Sequence, residues 1–271
     1  MKKVLIITYY WPPAGGPGVQ RWLKFVKYLQ DFKIQPLVYI PENPTYPILD
    51  ESIVNEIPKG IGIYKHPIRE PYGLARLFSG KKTKRISSGI IKTTDQSFIE
   101  SILLWVRGNF FIPDARKNWV RPSVQLLTGI IDKEEIDTVI TTGPPHSVHL
   151  IGLRLKQNKG VKWLADFRDP WTSIGYHKAL KLTTKSQKKH KRLEHVVLNN
   201  ADAIIVTSKT TKKEFQGITD KPITVITNGF DSGYKGERPL TEFFTIVHIG
   251  SLLTGRNPKV LWHVLAELIK E

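Results

Sequence analysis

The chain has 271 residues, 40% of them hydrophobic and 24% charged, so it can bury a substantial core and is not typical of disordered, collagen-like or fibrous proteins. It contains no cysteine, which excludes disulfides, thiolate metal ligands and cysteine nucleophiles. Its net charge of +17 indicates attraction to polyanions, which include nucleic acid, anionic lipid and phosphorylated substrates.

The first predicted element is a buried strand at residues 4–10. The lysines before it give it the look of a signal peptide, but the apolar run is too short. Trp11-Pro12-Pro13 also interrupts it before any small-residue cleavage site. No apolar run approaches the length of a membrane span, so a soluble or peripheral protein is expected.

Further strands follow along the chain, most of them near-continuous runs of Val, Ile, Leu and aromatic residues, as expected of parallel strands covered on both faces. They are predicted at residues 36–40, 61–66, 138–142, 163–167, 203–207, 224–226 and 244–249. Helices are indicated by apolar residues at helical spacing, namely Trp22, Leu23, Val26 and Leu29; Leu150, Ile151, Leu153 and Leu155; and Leu193, Val196 and Val197. The alternation predicts a doubly wound, mostly parallel, Rossmann-like α/β sheet.

Two stretches depart from this alternation. Residues 72–118 are too long for a simple connection and are predicted to hold helices outside the core sheet. Turn-forming residues and the segment 236–239 predict a linker, which divides the chain into residues 1–235 and residues 236–271. The second part reads as the first βα unit of another α/β domain, with its helix near residues 260–268. A lone βα unit cannot make a domain, so the chain is expected to be cut short and inactive alone.

A glycine-rich turn follows the first strand and leads into a helix. Gly15, Gly16 and Gly18 would let the backbone approach a ligand, and the helix N-terminus adds N–H groups that suit a phosphate. The alternative is a tight turn without a ligand. A dinucleotide-binding fingerprint is a weaker match, because Arg21 stands where the third glycine should pack and Glu42 only loosely fits the ribose acid.

Asp166, Arg168 and Asp169 end another predicted strand, at the sheet edge where α/β proteins gather ligands. Asp169 is the preferred group to orient an acceptor hydroxyl or accept its proton, while an ion pair that caps the strand is the alternative. His146, in a strand-to-helix loop, is expected either to face the same cleft or simply to begin its helix. With His149 it forms no convincing metal site, so no metal ion is expected.

Several segments, in order along nearly the whole chain, resemble family 4 glycosyltransferases. They are Gly18-Val19-Gln20-Arg21, Ile112-Pro113-Asp114 with Trp119, Thr142-Gly143-Pro144-Pro145-His146-Ser147, Asp166-Phe167-Arg168-Asp169-Pro170-Trp171, Asn200-Ala201-Asp202 and Thr227-Asn228-Gly229-Phe230-Asp231. The resemblance implies the GT-B fold and a retaining transfer of sugar from a nucleotide-sugar donor to an acceptor hydroxyl, without a cofactor or metal ion. The acceptor would bind the N-terminal domain and the donor mainly the C-terminal one.

The same resemblance implies site residues. Asp166, Arg168, Asp169 and His146 become the catalytic candidates, although many relatives have a histidine where this chain has the acid–arginine cluster. Donor or phosphate binding is expected at Gly15, Gly16, Gly18, Asn228, Gly229 and Arg256. Arg256 resembles the family's diphosphate-binding basic residue, and the alternative for it is a solvated arginine near a helix N-terminus.

Basic residues cluster in two regions of the sequence. One holds Arg76, Lys81, Lys82, Lys84, Arg85, Lys92 and Arg107, and the other Lys178, Lys181, Lys185, Lys188, Lys189, Lys191 and Arg192. With nearby apolar residues they fit an anionic membrane surface and a carbohydrate or lipid-linked acceptor, although most charge runs are solvated faces. The expected setting is cytoplasmic, peripheral at the inner face of the membrane, in bacterial surface polysaccharide synthesis.

Three alternatives remain open. Nucleic acid binding would explain the charge, but it is not expected because no helix-turn-helix, zinc or RNP motif is present. A nicotinamide-dependent oxidoreductase would need the imperfect fingerprint. A catalytically inactive sugar- or nucleotide-binding fragment would share the glycosyltransferase ancestry.

Overall fold

Seven parallel strands form one sheet in the computed structural model, which describes residues 1–70, 98–231, 241–249 and 257–270. Their order across the sheet is β3-β2-β1-β4-β5-β6-β7, which confirms the doubly wound α/β prediction. The strands are β1 Lys2–Thr8, β2 Ile34–Pro41, β3 Gly62–His66, β4 Thr138–Gly143, β5 Lys162–Phe167, β6 Ala203–Val206 and β7 Ile223–Val225.

Helices cover both faces of the sheet. Within the described residues they are α1 Pro17–Leu29, α2 Phe98–Phe110, α3 Val120–Glu134, α4 Ser147–Lys159, α5 Thr184–Asn200, α6 Lys209–Gln216 and α7 Lys259–Leu268. Alternate side chains of β1 enter opposite layers: Ile6 joins the apolar cluster that contains Trp22 of α1, and Leu5 joins the cluster that contains Leu127 of α3. Burial on both faces explains why most of the strand sequences are near-continuous apolar runs.

After β3 the chain crosses to the opposite side of β1 and adds the remaining strands there. β2 and β3 are added to one side of β1, whereas β4 pairs with its other side and β5, β6 and β7 continue outwards. In open α/β sheets a crevice forms beyond the carboxyl ends of the strands at such a switch point. The loops that follow β1, β4 and β5 are therefore the place to look for a site.

The chain divides into two units, Met1–Gly229 and Phe230–Glu271. The linker predicted at residues 236–239 and the boundary at 235 lie outside the described residues, as do the basic residues predicted between 76 and 92. In the second unit the predicted helix is present as α7, but residues 244–249 form no strand. A strand needs a hydrogen-bonded neighbour, and the described residues of this unit provide no second strand.

Candidate functional site

The glycine turn before α1 and the acid–arginine cluster after β5 lie side by side. A Cβ atom built on Gly18 would overlap with Nη1 of Arg168 and would lie 2.8 Å from its Cζ. The two segments are thus in contact. Their meeting point is at the carboxyl ends of the strands, beside the switch point between β1 and β4.

The backbone conformation or the packing of the protein itself explains each glycine of the turn. Gly16 adopts a φ of +112°, which L side chains rarely adopt. A Cβ on Gly15 would lie 3.0 Å from Cγ2 of Ile48, and the Gly15 N–H donates to the Ile48 carbonyl at 3.0 Å. Gly18 makes room for Arg168. Neighbouring protein atoms therefore occupy part of the space that the glycines were predicted to leave for a ligand.

The first turn of α1 offers few backbone donors to an anion. Pro17 has no N–H, and the N–H groups of Val19 and Gln20 both donate to the Gly16 carbonyl, at 3.1 and 3.2 Å. An anion at this turn would depend mainly on the Gly18 N–H and on the charge of Arg168. Phosphate binding at this turn stays a prediction.

Asp166 is completely buried beneath the site. One carboxylate oxygen, Oδ1, accepts from Nη2 of Arg21 at 3.0 Å. The other, Oδ2, accepts from Nε1 of Trp22 at 2.7 Å and from the Thr142 hydroxyl at 2.8 Å. With three protein donors and no exposed surface, this carboxylate is placed to hold α1, β4 and β5 together, and it is not placed to touch a substrate.

Arg21 links this buried carboxylate to the end of the first unit. Its Nη1 donates to the carbonyls of Ile226 and Thr227 at 2.9 and 3.0 Å, and lies 3.5 Å from Oδ1 of Asn228. Arg21, which stands where the dinucleotide fingerprint needs a glycine, therefore has a structural role as a link between these segments. A sequence signal existed, since an acid within a buried strand requires a cation from another element, but the sequence does not say which one.

Arg168 bridges the ends of β4 and β5. Its Nε donates to the Gly143 carbonyl at 3.3 Å and its Nη2 to the Pro144 carbonyl, while its guanidinium lies 5.8 Å from the ring centroid of Tyr10. Burial lowers the pKa of Arg168, and the carboxylates of Asp166 and Asp169 oppose that shift. An arginine remains charged even so, and thus Arg168 is a fixed cation at the switch point.

His146 ends the loop after β4 and is 4% exposed. Its ring stacks on Trp171 at a centroid distance of 4.7 Å and an interplanar angle of 3°. Neither ring nitrogen has a hydrogen-bond partner among the described residues. Burial lowers the pKa of His146 to about 3, with smaller contributions from His190, Arg168 and His177, so the imidazole is neutral near pH 7.

The N-terminus of α4, next to His146, is already capped by a carboxylate. Asp114 accepts from the Ser147 N–H and from its hydroxyl, both at 2.8 Å. The predicted Ile112-Pro113-Asp114 segment thus reaches the site from outside the sheet. His149 is buried against Phe167, and its Nδ1 lies 2.8 Å from the Thr141 hydroxyl, which indicates a packing role.

A cavity of about 200 Å³ opens beside these groups. His146 and the exposed Asp169 both line it, so two of the four predicted catalytic residues share one space. Arg168 lies next to it through Tyr10. Its lining comprises Tyr10, Arg107, Gly108, Phe111, Pro113, Asp114, Arg116, Pro144, Pro145, His146, Asp169, Trp171, His177, Leu180 and His190.

The remaining predicted residues lie elsewhere. Asn228 and Gly229 are exposed and do not line the cavity, and Arg256 is outside the described residues. Over the described ranges, no group of three His, Asp or Glu side chains is arranged to hold a metal ion. No described helix combines the length and apolar character needed to cross a bilayer.

The family model for Glycosyltransferase Family 4 matches residues 92–234. This segment covers more than half of the chain and includes β4 to β7, the cavity residues His146 and Asp169, and Asn228. No curated protein sequence matches the chain.

Solved structures of low sequence identity also resemble the chain. A UDP-glucosyltransferase from Polygonum tinctorium capable of glucosylating indoxyl, solved with 3,4-dichloroaniline, is 12% identical over 89% of this chain and 55% of its own, with a TM-score of 0.47. Anabaena Alr3699/HepE, in complex with UDP and glucose, is 13% identical over 85% and 45%, with a TM-score of 0.47. Acinetobacter baumannii MurG is 13% identical over 85% and 47%, with a TM-score of 0.44. The chain spans about half the length of these proteins.

Proposed function

Since the chain belongs to Glycosyltransferase Family 4, we propose that it provides the acceptor side of an enzyme that transfers a sugar from a nucleotide-sugar donor to an acceptor hydroxyl with retention of configuration. The observation that carries the proposal is the shared cavity of His146 and Asp169 at the carboxyl ends of the strands. Such a crevice is where an open α/β sheet binds its ligands.

The groups around the cavity are proposed to have different roles in the reaction. The carboxylate of Asp169 orients the acceptor hydroxyl and can accept its proton, because it is exposed at the cavity wall. Arg168 supplies a fixed positive charge close to the first turn of α1, where a departing nucleoside diphosphate would develop negative charge. Asp166 positions α1 through Arg21 and Trp22 and contacts no substrate.

The donor side rests on the resemblance. Asn228 and Gly229 follow β7, and Arg21 bonds the segment that contains Asn228 to the sheet. Together with Gly15, Gly16, Gly18 and Arg256, they are proposed to contact the donor's phosphates. The setting proposed is the cytoplasm, in bacterial surface polysaccharide synthesis.

Since the donor is expected to bind mainly a second domain, the proposal is tested in a protein that joins this chain to a complete donor-binding domain. The assay measures release of nucleoside diphosphate from a panel of UDP- and GDP-sugars, with simple glycosides as acceptors. We expect release with one donor class, and a decrease of about 10²–10⁴-fold for Asp169→Asn, the usual contribution of an acid–base group. Asp220→Asn changes an exposed carboxylate outside the cavity and should have no effect. No release with any donor, or equal rates for the two variants, would contradict it. Tight binding of NADH would favour an oxidoreductase instead.

A second proposal concerns an anionic membrane surface. The N-terminal half of α5 exposes Lys185, Lys188, Lys189, Lys191 and Arg192. The segment before α5 bonds to α2, because Asn109 accepts from the Thr183 N–H at 2.8 Å. On α2, Trp105 and Phe110 are 40% and 60% exposed and touch each other edge-to-face. Basic side chains beside exposed aromatic ones suit the surface of an anionic bilayer and a lipid-linked acceptor.

A further inference from the structure

Some hydrogen-bonding groups around the cavity have partners within the protein, and others have none among the described residues. Two of the charged ones are engaged by the protein: Asp114 accepts from Ser147, and Arg116 pairs with Glu70 at 2.9 Å. Three imidazoles of the lining differ from them. Both nitrogens of His146, Nε2 of His177 and Nε2 of His190 are buried and have no hydrogen-bond partner among the described residues. Nδ1 of His190 accepts from Nε1 of Trp171 at 3.3 Å, so His146 is the least satisfied of the three.

We propose that this cavity holds an uncharged, hydroxyl-bearing sugar ring of the acceptor, bound through the ring nitrogens of His146 and His177. The proposal rests on the proposed function and names the class of its acceptor. A buried polar group without a partner is costly, so unpaired nitrogens on residues that line a cavity indicate a ligand or water that satisfies them.

The chemistry of imidazole fits a hydroxyl group. A neutral imidazole has one N–H donor and one nitrogen acceptor, and a hydroxyl also donates and accepts. A phosphate or carboxylate ligand only accepts, and it would leave the acceptor nitrogen of His146 unsatisfied. Burial keeps His146 neutral, since its pKa is lowered to about 3. The ring nitrogens of His146 therefore favour a hydroxyl group over a phosphate or carboxylate group.

The walls and the size agree with this ligand. Tyr10, Phe111 and Trp171 provide aromatic surface for the C–H faces of a sugar, and Pro144 and Pro145 close one side. A volume of about 200 Å³ is below the roughly 300–1,000 Å³ of pockets that hold drug-sized ligands. It therefore has space for one ring, with the rest of the acceptor outside, and Asp169 lies at the same wall.

Ligand-observed saturation-transfer NMR on the full chain tests the inference. The probes are methyl glucoside, methyl galactoside and methyl mannoside, compared with glucuronic acid and glucose 1-phosphate. We expect at least one neutral glycoside to bind more tightly than both anionic probes. His146→Phe keeps an aromatic ring against Trp171 but removes both nitrogens, so the Kd should rise at least tenfold.

His195→Phe is the matched control, because His195 is exposed on α5 and does not line the cavity. It should leave the Kd unchanged, and if His146→Phe does not fold, His146→Ala replaces it. Tighter binding of the anionic probes, no saturation transfer from any glycoside, or an unchanged Kd in the His146 variant would each overturn the inference. Glycoside binding without nucleotide release would refute the proposed function alone, and release without glycoside binding would refute this inference alone.

Discussion

The guanidinium of Arg168 fills the space that a side chain on Gly18 would need. The two residues are 150 positions apart in sequence, yet they join the turn before α1 to the end of β5. Because Arg168 also bonds the carbonyls of Gly143 and Pro144, it cannot move aside without losing contacts to β4 and its loop.

Gly18→Ala should therefore destabilise the protein. Displacement of Arg168 is expected to lower the free energy of unfolding by about 1–3 kcal/mol, as overpacking does, measured by urea denaturation. Gly129→Ala, in α3 with nothing within 4 Å of a new Cβ, should instead stabilise by about 0.5–1 kcal/mol. If the effect of Gly18→Ala persists undiminished in an Arg168→Ala background, the steric explanation is wrong.

Arg21→Met should be one of the most damaging substitutions in α1. It leaves the carboxylate of Asp166 buried without its cation, which costs about 3–5 kcal/mol, measured as the loss in free energy of unfolding. Lys24→Met removes a more exposed pair with Glu56 from the same helix and should cost at most about 1 kcal/mol. Similar losses for the two variants would show that the buried pair is not a structural anchor.

The neutral imidazole of His146 should make stability depend on pH. Its pKa is about 3 in the folded protein and about 6.5 in an unfolded chain, so below pH 6.5 the unfolded state binds more protons and stability falls as pH falls. Between pH 6.5 and pH 5 this histidine should remove about 1.5 kcal/mol. Urea denaturation of His146→Phe should show a shallower dependence by that amount, and parallel curves for the two proteins would contradict the assignment.

Replacing lysines on the exposed face of α5 should weaken binding to anionic vesicles. The triple variant Lys188→Gln, Lys189→Gln and Lys191→Gln should lose about 3 kcal/mol, a partition coefficient about a hundredfold lower, in flotation with phosphatidylserine vesicles. The same change at Lys209, Lys212 and Lys213 of α6 removes equal charge from another helix and should have the smaller effect. Absence of binding by the unmodified chain at low salt would exclude the membrane proposal.

The local pattern of the sequence was enough to predict the positions of strands in the sheet. Continuous apolar runs gave strands at residues 36–40 and 138–142, within two residues of β2 and β4. The pattern failed at residues 244–249, because an apolar run becomes a strand only beside another strand. Ordered motifs also indicated the family and the edge of the sheet at which to seek the site.

The tertiary structure decided which of the candidate side chains are buried and which residues they contact. The sequence placed both Asp166 and Asp169 among the catalytic candidates, with Asp169 preferred, but only the fold encloses the first within three donors and leaves the second at a cavity. Apolar periodicity is a local property of neighbouring residues, and the sequence therefore determined it. The pairing of Arg21 with Asp166, and of Gly18 with Arg168, depends on how distant segments pack, which no local pattern specifies.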